Sequence, residues 1–384
     1  MDSFFEEEDD DQVQFEEMGS VRKVIFNRPQ KLNCFTYGMI AKISTSLESY
    51  EHDPTVKLVI LKGKGTNFCA GGDVARVIYS IVAGHWSFGA RFSKKQLSLD
   101  YQVATYKKPM VSIMNGIVMG GGAGISMQGT FRIVTETTLF AMPEVKIGFC
   151  PDVGSTYFLS RLPGFLGEYL VLTSARMDGA DMLACGLATH FVLSKDLPLL
   201  EIALCEVNTS DKYMISHIID RFQYKPQSRK KSPLKRMEVI NKCFSRDTVE
   251  DILSALLTEE MANKGDGLLI DSIKSMKSAS PISLKISLKS MREGRKQNLE
   301  QCLIREHTIS YHLARSTVTK DFIEGSRALL LDKGRRPRWE PPQLELVTES
   351  MVNQHFVIEV EEEDGLELEL PPRSNQTQKA KAKL

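Results

Sequence analysis

No stretch of about 18 apolar residues occurs in the 384-residue chain, so the sequence offers no candidate for a membrane-spanning helix. Net charge is equally absent. The 49 lysines and arginines balance 49 aspartates and glutamates, which removes the broad positive field expected of a general nucleic-acid binder or of a protein that coats anionic lipid. The seven cysteines are odd in number, scattered at 34, 69, 150, 185, 205, 243 and 302, and form no CxxC pair. They read as reduced thiols, and neither a disulfide frame nor a zinc site is indicated. There is no GxxxxGK(S/T), HExxH or GxSxG motif, and Gly120-Gly121-Gly122-Ala123-Gly124 fails the GxGxxG pattern. Nucleotide binding by a P-loop or a Rossmann turn is therefore disfavoured. The amino terminus lacks the basic, acid-poor character of a presequence: six consecutive acids begin at Glu6.

What is present suits a globular protein, with 42% hydrophobic residues over a length that fits one large or two modest domains. From about residue 12 to 210, short apolar runs alternate with helical periodicity. Val21 to Phe26 predicts a strand, and Met39, Ile43 and Leu47 share one helical face. Val56 to Lys62 is nearly continuously apolar, as a strand covered on both faces would be. A helical stretch near Phe92 to Tyr106, a strand at Met110 to Met114 and another at Phe131 to Thr135 repeat the unit, which predicts an α/β architecture. After residue 211 helical periodicity dominates, as in Val249 to Leu257 and Ile282 to Met291. The expected organisation is an acidic arm (1–11), an α/β core (12–210), a helical C-terminal region (211–345) and an irregular, acidic then basic tail (346–384). Because the excess acids lie in the two flanking arms, the part between them is expected to be mildly basic.

Three segments carry candidate chemistry. Asn67-Phe68-Cys69-Ala70-Gly71-Gly72-Asp73 follows the second strand, and Asn115-Gly116-Ile117-Val118-Met119-Gly120-Gly121-Gly122-Ala123-Gly124 follows the third. Small residues at such points let backbone N–H groups face outward, and one N–H from each segment would make an oxyanion hole. Tight turns and close helix packing account for either segment alone. The third segment, Phe140 to Gly154, holds Glu144 and Asp152 in otherwise small or apolar surroundings, where carboxylates are paired or functional. Asp152 also suits the N-cap of a helix beginning near Val153, and Glu144 a loop residue bonded to amides. Beside an oxyanion hole, the two acids would serve water activation and proton delivery.

In this order and spacing, FCAGGD, NGIVMGGGAG and FAMPE…PDVG resemble the crotonase (enoyl-CoA hydratase/isomerase) superfamily, and more narrowly the plant type of 3-hydroxyisobutyryl-CoA hydrolases. Ser160 to Tyr169, Ala184 to Val192 and Trp339-Glu340-Pro341 continue the likeness over roughly residues 12–345. The resemblance implies a crotonase-like spiral of ββα units followed by a mainly helical C-terminal region. It implies an acyl-CoA thioester held by the amides of Gly72 and Gly121, with Glu144 and Asp152 catalytic. Ala70, Asp73, Gln96, Gly121, Glu144 and Asp152 are the implied substrate contacts. Hydratases of the superfamily carry a further glutamate where this chain has Gly124, so the resemblance favours thioester hydrolysis in valine breakdown over hydration. No metal and no separate cofactor are implied, CoA being part of the substrate, and its phosphates are expected to meet basic side chains.

Some positions depart from the family pattern. Lys94-Lys95-Gln96-Leu97 keeps a polar residue at Gln96 but lacks the neighbouring acid and the tyrosine of relatives, and Lys146 and Cys150 stand where relatives have small or apolar residues. An altered acyl preference or rate is the expectation, with an enoyl-CoA hydratase/isomerase and a catalytically weakened acyl-CoA-binding or assembly protein as alternatives. Ala382-Lys383-Leu384 is similar to the peroxisomal Ser-Lys-Leu address, predicting an import-receptor partner and a peroxisomal location, the alternative being cytosolic. Neither a nucleic-acid nor a membrane partner is expected. A monomer or a small homo-oligomer fits the helical C-terminal region.

Overall fold

The computed structural model describes residues 10–332, 335–357 and 366–372. Most of the acidic arm and the Ala382-Lys383-Leu384 ending lie outside the described residues. Strands β1 (Val13–Met18) and β2 (Val21–Phe26) open the fold as an antiparallel hairpin. They are followed by α1 (Tyr37–His52), β3 (Leu58–Gly63), α2 (Val74–Val82), α3 (Trp86–Ala104), β4 (Met110–Met114), β5 (Ile117–Met119) and α4 (Gly121–Met127). Next come β6 (Phe131–Val134), β7 (Leu139–Ala141), α5 (Ser155–Phe158), α6 (Leu166–Thr173), β8 (Met177–Asp178), α7 (Gly179–Ala184) and β9 (His190–Phe191). Helices α8 (Leu197–Cys205), α9 (Lys212–Asp220), α10 (Met237–Phe244), α11 (Val249–Ala262), α12 (Gly267–Ser278), α13 (Pro281–Gly294), α14 (Leu299–Arg315), α15 (Asp321–Ser326) and α16 (Glu349–Asn353) follow. The main sheet runs β1-β2-β3-β4-β6-β9, parallel after the first hairpin, and a smaller sheet runs β5-β7-β8.

The apolar character of β3 follows from its two covered faces. Val59 and Leu61 join the core that holds α1 and its Met39, Ile43 and Leu47, whereas Leu58 and Ile60 face the opposite layer, closed by Leu200 and Leu204 of α8 and Ile215 and Ile219 of α9. Thr36 starts α1 by accepting the Met39 N–H (3.2 Å). Helix α14 starts with a reciprocal capping box between Asn298 and Gln301. It then packs along α3, so the helical half is joined to the α/β half through the longest helix of each. The described residues of the tail pack into the fold, which their composition does not suggest. Val347 and Val352 are buried with Cys150, Ile282 and Ile286, and Leu368 is buried with Leu97, Tyr101, Leu299 and Leu303. Scattered apolar residues among prolines and acids have no period to reveal such docking.

Candidate active site

Backbone pairing lays the two glycine segments side by side. Cys69 N–H donates to the Ile117 carbonyl (3.0 Å) and Met119 N–H to the Cys69 carbonyl (3.0 Å), while Phe35 N–H donates to Gly71 (2.8 Å) and Asp73 N–H to Phe35 (2.8 Å). This ladder does not use the Gly72 N–H. Gly121 is the first residue of α4, so its N–H has no intrahelical acceptor. The turn at Gly71 requires glycine because of its φ of +107°, and it sets the Gly71 backbone in van der Waals reach of the Met119 oxygen (3.5 Å from an added Cβ) and the Gly121 nitrogen (3.6 Å). On Gly120 (φ +46°) it would lie 3.4 Å from the Gly71 Cα and 3.3 Å from the Glu144 Oε1. Gly120 thus lets one segment's backbone touch the other with the Glu144 carboxylate close beside it.

These groups border a cavity of about 150 Å³ whose lining includes Ala70, Gly72, Gln96, Gly121, Glu144 and Asp152, with Phe92, Phe149 and Phe322 as apolar wall. That is roughly five water volumes, room for a short acyl group. Glu144 opens a short 3₁₀ turn after Pro143, closed by Phe149 N–H to the Glu144 carbonyl (3.0 Å). Its Oε2 is buried with no hydrogen-bond partner, and burial pushes its pKa up to about 8. Burial, reinforced by the charges of Glu144 and Glu306, also holds Asp152 well above the usual carboxylate range. Asp152 caps no helix. Helix α5 begins at Ser155, with Gly154 in the cap position and no side-chain cap bond, and only the backbone carbonyl of Asp152 takes the Ser155 N–H (2.9 Å).

Gln96 lies against the same glycine run. A Cβ on Gly121 would lie 3.1 Å from its Oε1, which has no partner, while its Nε2 donates to Asp100 Oδ1 (2.9 Å). Asp100, one turn further along α3, is buried and held well above its ordinary pKa, first by burial and then by Asp152 and Glu306. Its carboxylate occupies the space beside Gly124, where a Cβ would meet Val153 Cβ at 2.6 Å and the Asp100 oxygens at 2.8 and 2.9 Å. No side chain fits at position 124.

The enoyl-CoA hydratase/isomerase family profile matches residues 21–356, most of the chain. The chain belongs to that family. It is 52% identical to 3-hydroxyisobutyryl-CoA hydrolase 1 of Arabidopsis thaliana over 364 residues, covering 95% of both proteins. It is 39% identical to the mitochondrial 3-hydroxyisobutyryl-CoA hydrolase of Homo sapiens, covering 90% of this chain and 88% of the human one. Among solved structures, a carnitinyl-CoA dehydratase of Mycobacterium thermoresistibile superimposes with a TM-score of 0.83 at 35% identity, covering 93% of this chain and 98% of the other.

Within this crotonase fold, five of the six anticipated contact residues line the cavity and one does not. Asp73 turns away to pair with Arg28 (3.0 Å) and to cap α2 by accepting the Arg76 N–H (3.3 Å), so its carboxylate is spent on holding the loop. Lys146 is exposed and Cys150 is buried among Ile282, Ile286 and Ile309, and neither reaches the cavity. The acid missing beside Gln96 has a counterpart in Asp100. The only sequence signal for it was the four-residue spacing that puts Gln96 and Asp100 on one face of α3. Ser310 and Ala314 of α14 also line the cavity, a contribution from the helical half that no motif announced.

Proposed function

We propose that this chain hydrolyses 3-hydroxyisobutyryl-CoA, and related short 3-hydroxyacyl-CoA thioesters, to free CoA and the 3-hydroxy acid, a step of valine breakdown. The observation that carries hydrolysis over hydration is at Gly124, where Asp100 and Val153 fill the space a second glutamate would need. The thioester oxygen is received by the N–H groups of Gly72 and Gly121, each donor supplying about 3 kcal/mol to the oxyanion that forms. Glu144, ionised, removes a proton from water as it adds to the carbonyl carbon, or adds itself to give an anhydride that water then opens. Asp152, protonated, delivers its proton to the sulfur as the C–S bond breaks. The opposite duties of the two acids suit their environment: a pKa near 8 leaves Glu144 about one-tenth ionised at pH 7, while burial, reinforced in that ionised form by the Glu144 charge, keeps the proton on Asp152. Gln96 turns an acceptor oxygen to the acyl cavity, placed to receive the hydroxyl of a 3-hydroxyacyl group.

The test is free-thiol release from 3-hydroxyisobutyryl-CoA and from crotonyl-CoA, with wild type and Glu144→Gln. Release from the first substrate, abolished by the substitution, is the expected result. Loss of the enoyl absorbance without thiol release would make the protein a hydratase, and binding without turnover would make it an acyl-CoA-binding protein.

A further inference from the structure

We propose that Glu306, on α14, is a positioning residue for Asp152: its carboxylate ties down the left-handed turn that follows Asp152 and thereby fixes where that acid points. The inference rests on the proposed role of Asp152. Glu306 is fully buried and accepts three hydrogen bonds: Gly154 N–H to Oε2 (2.6 Å), and Thr156 N–H (2.9 Å) and Thr156 O–H (2.6 Å) to Oε1. All three donors lie just beyond Asp152 in the chain. Arg305 Nη2 donates to the Thr156 oxygen (2.8 Å), which leaves the hydroxyl proton pointing at Glu306.

The turn needs this clamp. Val153 sits at φ +57° and Gly154 at φ +79°. A β-branched residue in the left-handed region persists only where its surroundings over-determine it. The local sequence supplies no cap or side-chain bond to hold it, so the restraint comes from 150 residues away. Glutamate is suited to the task because both its oxygens are acceptors. A glutamine of the same shape would set an N–H against one of the donors. Glu306 also faces the reacting groups electrostatically. Burial raises the pKa of Glu306 itself, opposed by the bonds from Thr156 and Gly154 and by Arg305. In its ionised form its charge acts on Asp152, Asp100 and Cys150; Asp152 in turn faces Glu144 and Ser310, Asp100 faces Gln96, and Arg305 and Cys302 flank Glu306 on its own helix.

The experiment measures thiol release from 3-hydroxyisobutyryl-CoA by the full chain carrying Glu306→Gln, Asp152→Asn or Glu144→Gln, with kcat and KM taken across pH and folding checked by thermal melting. For Glu306→Gln we expect kcat to fall about 10- to 100-fold while KM stays within about threefold. The inflection of kcat/KM belonging to the Glu144 and Asp152 pair should move to lower pH, because a neutral side chain no longer opposes ionisation of Asp152. A folded Glu306→Gln protein with wild-type kcat and an unmoved profile overturns the proposal. Where that variant does not fold, Thr156→Val decides. It removes one tie but keeps the charge, so kcat should fall about 3- to 10-fold at an unmoved profile, and wild-type kcat overturns the proposal. Full activity of Asp152→Asn and Glu144→Gln would instead remove the reading of the site itself.

Discussion

Replacing Glu144 with glutamine should abolish activity and make the protein progressively more stable than wild type as pH rises. Burial raises the Glu144 pKa from 4.5 to about 8, so the folded chain holds this proton more tightly than the unfolded chain does. The sign is opposite to that of a salt-bridged carboxylate: the contribution is intact below pH 4.5 and is lost as pH climbs through 8. At about 1.4 kcal/mol per unit, the wild-type penalty is about 3 kcal/mol at pH 7 and approaches 5 kcal/mol above pH 8, an upper bound because Asp152 titrates with it. Glutamine carries no such penalty, although its unpaired buried amide costs about 1–3 kcal/mol. That cost does not depend on pH and drops out of the slope. The difference in unfolding free energy between variant and wild type should therefore grow by about 4 kcal/mol between pH 5 and pH 8.5. Urea unfolding of both proteins at pH 5, 7 and 8.5 measures it, and thiol release on the same samples should fall by at least 10²-fold. Parallel stabilities across that range, or a variant that keeps more than about a tenth of kcat, would refute the argument.

Wild-type thiol release should rise with pH through about 8 as Glu144 loses its proton, and a flat rate from pH 6 to 9 would speak against an ionised Glu144 in the slow step. Gly124→Glu should destabilise the fold by about 3 kcal/mol or more without creating hydratase activity, because the new Cβ alone meets Val153 and Asp100 below 3 Å; a stable variant that hydrates crotonyl-CoA would contradict this packing. Gln96→Leu should raise KM about tenfold for the 3-hydroxy substrate and much less for isobutyryl-CoA, whereas equal effects on both would remove Gln96 as the hydroxyl's partner. Deleting Leu384 from a tagged full chain should leave it in the cytosol, and continued peroxisomal import would discount the Ala382-Lys383-Leu384 address.

The parallel core was legible because its signal is local. Val21 to Phe26 and Met110 to Met114 are strands with the expected bounds, and the long helix over Phe92 to Tyr106 begins six residues earlier, at Trp86. The short strands β5, β7, β8 and β9 were not legible: at two or three residues they carry no periodicity, and their pairing depends on where the glycine turns send the chain. At the site, residues carried by motifs came together, as Gly72, Gly121 and Glu144 illustrate. Asp73 belonged to the same motif yet serves the loop, because Arg28 reaches its carboxylate across 45 residues of sequence. Spacing cannot distinguish an acid facing a cavity from one facing an arginine behind it. Asp100 and Glu306 lie on ordinary amphipathic helices, where a buried acid leaves no mark in the pattern until its partners are known.

The helical C-terminal region is more than a cover. The chain reads as an α/β core followed by helices, with a boundary near residue 210, and the core supplies the glycine amides, Gln96, Glu144 and Asp152. Yet Ser310 and Ala314 of α14 and Phe322 of α15 complete the wall of the cavity, and Glu306 holds the turn that orients Asp152. The left-handed Gly148 lies so close to α15 that a Cβ there would fall 2.1 Å from the Asp321 oxygen, so even the loop between the two acids takes its shape from the later half. Raising carboxylate pKa values requires excluding water on every side, and the α/β core walls Glu144 and Asp152 on only part of their perimeter. Helices α14 and α15 supply the rest. The two halves therefore form one catalytic unit, in which the sheet-bearing half fixes the atoms that react and the helical half dries, shapes and orients the space where they do so.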